Sequence, residues 1–445
     1  MKTYKKFATI ALFASSALLI TSCNDENSSD QKTSTPVANF SGKIASDWME
    51  TVRKLVKKES KNPPQASRIY GYNGVALYES LIGGMPQNKS LAGQINGYLQ
   101  QTEVPDNEVD YPTVANEVMH EINKSLFGST LSTESATRLD SIYNANLSER
   151  STISGTVKTN HSVEYGQDIA ETLITYINQD NFTETRSMIY IVPSRDTDPH
   201  CWAPTNPSVT MPAEPFWGQI RTIGLVSPNM SVPSEIAFNS EIGSTFYNQA
   251  MEVYTISQGL TQSQKDIAKW WGDGAGVTAT PPGHWVAIEN QLTTDLSLNL
   301  QEAAEMYAMV GIAVTDAFIS CWYSKYQYNL LRPQTYIRDY VSGAESWTPF
   351  LATPAFPEYP SGHSVCSGAS AKILTALFGT LSFVDKTNVN LGLSPRYFSS
   401  FNAAADEAAI SRVYGGIHFR EASEKGVLQG KMLAEYLLIN IDLKK

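Results

Sequence analysis

Cysteine, histidine and basic charge are all scarce in this chain. Of four Cys, Cys201, Cys321 and Cys366 remain once Cys23 is set aside with the N-terminal segment. Three thiols allow one disulfide at most, so a cystine-built scaffold is excluded and buried free thiols are expected. Lys and Arg number 33 against 44 Asp and Glu, a net charge of -11. That balance argues against nucleic-acid binding, although it is silent about any local pocket. Alternating apolar and polar strand patterns are rare, there is no internal repeat, and after residue 23 no run reads as a membrane span.

Helical periodicity is abundant instead. It predicts helices over Ser41–Lys58, Ala66–Leu81, Thr113–Phe127, Thr133–Leu147, Val157–Asn178, Ser234–Thr255, Gln262–Trp271, Leu300–Leu331, Gly362–Phe378, Ala403–Tyr414 and Ser423–Ile441. Proline-rich joints such as Ile191–Phe216 separate them, so the fold class is all-α, a helical bundle. Residues 41–445 are read as a single domain, with its chemistry in the part from about 300 to 445. The Trp270-Trp271 pair reads as core.

Three separated fragments in that part carry the chemistry. They are Lys325 with Arg332-Pro333, then Pro360-Ser361-Gly362-His363, then Ser411-Arg412 with His418. Lys325 and Arg332 are seven apart; on one helix they would share a face about 10 Å apart and grip an anion from two sides. Their stretch is aromatic and apolar, and from Thr315 to Ile337 the only acidic residue is Asp316. A buried cation without a carboxylate partner calls for an anion from elsewhere. Ser361 reads as the N-cap of a helix rich in small residues, with Gly362 allowing close backbone approach and His363 placed to exchange protons with a bound oxygen. Arg412 and His418 would diverge on an unbroken helix, but Gly415-Gly416 permits a break that brings both to one centre. One Lys, two Arg, a serine hydroxyl, helix-start N–H groups and two His, with no carboxylate in the motifs, suit a tetrahedral dianion. His120, His161, His200 and His284 read as structural or surface groups.

At these residues the chain resembles the vanadium-dependent haloperoxidases and the related type 2 phosphatidic acid phosphatases. Segments such as Pro281-Pro282-Gly283-His284-Trp285 and Ser411–Phe419 are similar to bacterial members of marine Bacteroidetes type, which include iodide-specific enzymes. The resemblance implies two packed four-helix bundles with the site at the end of one. It also implies one vanadate per chain, ligated by His418, with Lys325, Arg332, Ser361, Gly362, His363 and Arg412 around it. His363 would be the acid-base group, and Lys325 would polarise hydrogen peroxide for attack by halide. Trp322, three before Lys325, and Phe356, seven before His363, fall where such enzymes place the aromatic walls of the halide and peroxide pocket. Core packing also accounts for both aromatics. Tyr323 stands where many relatives have an acidic residue, which leaves halide preference open; iodide, the easiest halide to oxidise, is the expected substrate, with bromide next.

In the phosphatase version His418 would be the nucleophile and His363 the proton donor. Phosphate is therefore a competing anion in either version. A surface glycan-binding lipoprotein is the non-enzymatic alternative, suggested by the N-terminus and 22 Tyr. Lys2, Lys5 and Lys6 precede an apolar run from Phe7 to Ile20 and then Thr21-Ser22-Cys23, the layout of a lipoprotein signal over 1–22 with Cys23 lipidated. Residues 23–40 are expected to be a disordered tether, giving an exported protein lipid-anchored in the bacterial envelope, periplasmic or at the cell surface, with a simply secreted protein as the alternative.

Overall fold

One helix organises the rest. The computed structural model describes residues 34–445 except Pro207, Glu235 and Ile236; the expected signal segment and Cys23 lie outside the described residues. Residues 34–445 form one compact unit. Its helices are α1 (Lys43–Lys58), α2 (Pro63–Leu81), α3 (Tyr111–Phe127), α4 (Thr133–Ser154), α5 (Thr156–Ile177), α6 (Phe182–Thr185), α7 (Thr245–Gln258), α8 (Gln262–Trp270), α9 (Thr280–Asp295), α10 (Leu300–Tyr328), α11 (Pro333–Tyr340), α12 (Gly362–Phe378), α13 (Phe401–Tyr414) and α14 (Arg420–Asn440). A single two-stranded antiparallel ribbon, β1 (Phe383–Asp385) with β2 (Arg396–Phe398), completes the regular structure of the described residues. The chain is all-α.

The organising element is α10. Asn299 and Glu302 close a reciprocal capping box at its start, and 22 of the 29 residues of the helix are buried. By composition it is long and apolar enough to cross a membrane, but 94% of its most apolar window is covered by the rest of the protein, as befits a core helix. It packs on α2 from one side and on α12 from the other. Glycines set the first spacing: a Cβ on Gly74 would stand 2.3 Å from the Tyr307 carbonyl oxygen, and one on Gly71 1.9 Å from Thr315 Oγ1. Thr315 Oγ1 then donates to the Ser67 carbonyl at 2.8 Å across the same crossing.

Around α2 gather α3, α5, α1 and α9; around α12 gather α14 and α13. The second group approaches equally closely, because Gly368 and Gly430 face the backbone of Val427 and Val365 with no room for a side chain. Asp316, the one acidic residue of the apolar stretch, binds the N–H groups of Ile223, Gly224 and Leu225 at 2.6–2.8 Å. It is thus committed to a loop, leaving the nearby cations without it.

Several boundaries differ from the sequence reading. Residues Val37–Asn39, assigned to the tether, form a short turn with Val37 fully buried, so the folded part reaches back to Ser34. The helix expected from Ser234 starts only at Thr245, because Gly243 adopts φ +85° and Ser244 caps the new helix through the Tyr247 N–H; Glu235 and Ile236 lie outside the described residues. Helix α9 is not among the expected helices; Pro281 and Pro282 sit in its first turn, where a missing N–H costs nothing. The helix expected through Leu331 ends at Tyr328, where Asn329 turns left-handed at φ 47°. Lys325 and Arg332 consequently do not share one helix. Arg332 caps α11 in extended conformation instead.

Candidate active site

The turn at Asn329 brings Arg332 round to the end of the bundle, where α12 starts and α13 stops. Ser361 caps α12, its Oγ accepting from Ser364 N at 3.4 Å. At the other end of the α13–α14 connection, Gly416 at φ +76° reverses the chain after Tyr414, and Ile417 N bonds back to Arg412 O at 3.2 Å. That break delivers Arg412 and His418 to one place, as the paired glycines imply. His363, Gly362, Arg412, His418, Trp322 and Phe356 all line one cavity of about 380 Å³. Lys325, Arg332 and Ser361 stand behind them, each fully buried.

Each cation is held differently. Lys325 Nζ donates to the carbonyls of Pro357, Glu358 and Pro360 at 2.9, 2.9 and 2.6 Å. Its three protons are thereby used within the protein, where it fixes the 357–360 turn and places its charge behind the cavity. Burial, with Arg332 nearby, pushes its pKa down to about 7. The ammonium also lies 5.6 Å from the Trp322 ring and 5.2 Å from Phe356, and the Arg332 guanidinium 4.9 Å from Phe356. Trp322 and Phe356 are packed 4.9 Å apart, so these two aromatics wall the cavity and also cover its cations.

Arg332 donates through Nη1 to Ile417 O at 2.9 Å and to His418 Nε2 at 3.0 Å, and through Nε to Phe356 O at 2.9 Å. Because a guanidinium only donates, His418 Nε2 must present its lone pair and Nδ1 must carry the proton. That proton goes to Glu358 Oε1 at 2.8 Å, which also accepts from Phe419 N at 2.9 Å. Glu358 is therefore the principal site residue that sequence reasoning missed. It stands two positions before Pro360, directly after Pro357, just outside the motif. Burial raises its pKa to about 7 against the opposing pull of Arg332 and Lys325. Burial and Arg332 keep the His418 imidazole neutral, its pKa well below the ordinary value.

His363 is the other imidazole. It is buried and, beside Arg412, likewise held well below its ordinary pKa, with its ring hydrogen-bonded to the Trp271 backbone. Its Nε2 has no partner within the protein. Two buried guanidinium nitrogens, Arg332 Nη2 and Arg412 Nε, are also without partners. Unpaired buried donors are costly, and two from different elements facing the same region fit an anion with several acceptor oxygens. Gly362 adds to the cradle: a Cβ there would come within 3.2 Å of the Trp322 ring.

A second buried network supports this one. His284 Nδ1 lies 2.9 Å from Asp273 Oδ2 and its Nε2 2.7 Å from Asp385 Oδ2, with Trp270 Nε1 also donating to Asp385 at 2.8 Å. Burial disfavours the charged ring, yet the two carboxylates outweigh it and raise the His284 pKa to about 10. Asp273 lines the cavity, and its charge partly offsets the effect of burial on Arg412, whose pKa is lowered to about 10. His284, read from sequence as a structural or surface group, is a fully buried cation stacked 4.3 Å from Trp271. Cys201, Cys321 and Cys366 are buried free thiols, as expected.

Comparisons with known proteins agree with this fold. Residues 305–440 match the model of the second helical-bundle domain of vanadium chloroperoxidase. Vanadium chloroperoxidase from Curvularia inaequalis is 25% identical over an alignment covering 34% of this chain and 34% of that protein, about a third of its length. A bacterial vanadium-dependent iodoperoxidase structure superposes with a TM-score of 0.85 at 35% identity, covering 92% of this chain and 98% of that one. A bacterial vanadium-dependent chloroperoxidase, in its holo form, shares the fold at a TM-score of 0.60 and 15% identity, covering 85% and 91%. This helical bundle is thus the architecture of vanadium-dependent haloperoxidases. The chain belongs to the vanadium-dependent haloperoxidase family.

Proposed function

We propose that this protein is a vanadate-dependent iodide peroxidase that consumes hydrogen peroxide and releases hypoiodous acid. The observation that carries this reading is His418 Nε2, its lone pair oriented by Glu358 and accepting from Arg332 Nη1, beside the unpartnered nitrogens Arg332 Nη2 and Arg412 Nε. The similarity to a bacterial iodoperoxidase supports the choice of iodide. One vanadate per chain would be held by His418 Nε2, by Arg332 and Arg412, and by Ser361 and Gly362 at the start of α12. When bound, that group supplies Lewis acidity toward peroxide without changing its oxidation state.

The residues of the chain do the rest. Lys325 and Arg332 set a positive potential over the site; at an effective dielectric near 20, each cation about 4 Å from a unit negative charge is worth roughly 4 kcal/mol before desolvation. His363, neutral and with Nε2 free, accepts a proton from hydrogen peroxide in the cavity and returns it to the departing oxygen. Trp322 and Phe356 exclude water and present polarisable faces suited to a large, weakly hydrated halide.

The Glu358–His418 pair would equally orient an imidazole for attack on a phosphate monoester, so a phosphatase of the same superfamily is the second reading. The two readings part in one experiment. Metal-free protein, freed of phosphate, is supplied with vanadate and hydrogen peroxide and assayed on iodide, bromide and chloride, then without vanadate on p-nitrophenyl phosphate. Vanadate-dependent iodide oxidation, inhibited by added phosphate, is expected. Phosphate ester hydrolysis that vanadate abolishes, with no halide oxidised at any pH, would establish the phosphatase.

A further inference from the structure

One group of ligating side chains lies outside the cavity and outside the proposed reaction. Asp198, His200 and Cys201 stand in the loop between α6 and α7, where a carboxylate oxygen, an imidazole nitrogen and the thiol sulfur all lie within 4.8 Å of one another. None of the three lines the cavity. The cluster is built by the backbone. Cys201 N donates to Asp198 O at 3.1 Å, closing the turn that folds Asp198 back over His200 and Cys201. The imidazole Nδ1 pairs with the Asp198 carboxylate, and burial together with the neighbouring Asp198 pushes the Cys201 thiol pKa up.

The turn is pinned from behind. Cys201 pairs with Leu330 as an antiparallel bridge, Trp202 N donates to Asn329 O at 2.7 Å, and Leu331 N donates to His200 O at 2.9 Å. Arg195 adds an ion pair to Asp339 of α11 at 2.8 Å. Cys201 is buried, while the side chains of Asp198 and His200 keep 45% and 30% of their exposure, so the open side of the cluster faces solvent.

We propose that Asp198, His200 and Cys201 bind one late first-row divalent cation, Zn2+ in the first instance, with water as the fourth ligand. One thiolate, one imidazole and one carboxylate are a borderline-soft set that suits Zn2+ and its neighbours and disfavours Mg2+ and Ca2+, which take oxygen ligands almost exclusively. On binding, the thiol proton leaves to solvent and the imidazole offers Nδ1 while keeping its proton on Nε2. Thiolate and carboxylate then neutralise the divalent charge within the site.

The position gives the ion a task. Residues 329–331, against which the turn is pinned, join the helix bearing Lys325 to Arg332, and Leu330 O accepts from Glu358 N at 2.8 Å. A cation fastening 198–201 braces the backbone that carries Lys325, Arg332 and Glu358, from outside the cavity. This inference is independent of the choice of halide or of peroxidase over phosphatase.

The test is optical. The metal-stripped full chain, without vanadate, is titrated with Co2+. One Co2+ per chain is expected, with thiolate-to-cobalt charge transfer in the near ultraviolet, displaced by Zn2+. The charge-transfer band disappears in Cys201→Ser, and the apparent affinity falls at least about tenfold in His200→Ala, which leaves the buried thiol in place. Far-ultraviolet circular dichroism verifies that both variants are folded. Absence of saturable charge transfer in the folded wild type, or its persistence in folded Cys201→Ser, overturns the proposal.

Discussion

Glu358 decides what His418 is. An imidazole flanked by a guanidinium on Nε2 and a carboxylate on Nδ1 has one tautomer and one orientation, with its lone pair fixed toward the site. Glu358→Gln removes the charge but keeps the shape, so vanadate binding should weaken by about 10- to 100-fold. Equilibrium dialysis reads this directly; an affinity within twofold of wild type would show that Glu358 has no hold on His418. Lys325 illustrates the same logic from the opposite side. Sequence identified it as a buried cation awaiting an anion, and it is fully buried, but its protons go to three backbone carbonyls that no side-chain pattern could reveal. The residues of the three motifs were legible because each is rare in its apolar surroundings. Glu358 and Asp273 were not, because their roles depend on partners 60 and 11 positions away, His418 and His284.

At the scale of elements, the site is an assembly of helix ends, and its precision rests on how closely the helices behind it pack. A Cβ on Gly430 would stand 2.1 Å from the Val365 carbonyl oxygen and 2.7 Å from the Ala369 nitrogen, both backbone atoms that cannot move without separating α12 from α14. Gly430→Ala should therefore cost about 3 kcal/mol or more, at or above the usual range for overpacking. Gly259, at the end of α7 with open space around it and ordinary φ, is the control: Gly259→Ala should stay within about 0.5 kcal/mol of wild type. Urea unfolding midpoints measure both, and equal values for the two variants would deny the close crossing. Element ends also explain where sequence reading strayed. Periodicity carries a helix through Leu331, yet a single left-handed Asn329 ends it at Tyr328 and turns what was to be one gripping face into two cations approaching from different elements.

For the molecule as a whole, the buried Asp273–His284–Asp385 network joins the ribbon strand β1 to the cavity wall and couples stability to pH. His284 has its pKa raised to about 10 from the ordinary 6.5. Its contribution is complete below about pH 6.5 and is lost as pH rises through 10. Asp385, lowered to about 2 by His284 despite burial, loses its share only in strong acid. Wild type should thus exceed His284→Gln in stability by a few kcal/mol at pH 6, on the order expected of a broken buried ion pair, and the gap should narrow by pH 10. Urea unfolding of both proteins at the two pH values checks this; a constant gap would mean that His284 is not charged in the fold.

What the sequence determined by itself was the class of the fold and the cations and imidazoles of the candidate site. Helical periods, serine and asparagine caps and the Gly415-Gly416 break are local signals, set by backbone preferences within a few residues, and they place α10, α12 and α13 closely. The three motifs supplied the cations and imidazoles because charge in an apolar run has few bland explanations. Only the tertiary structure decided how those groups are arranged: which carboxylate orients His418, which carbonyls satisfy Lys325, and which guanidinium nitrogens stay free for an anion. These are long-range pairings, fixed by glycine-mediated helix crossings and by one left-handed residue, and hydrogen-bond partners chosen across such distances leave no period in the chain.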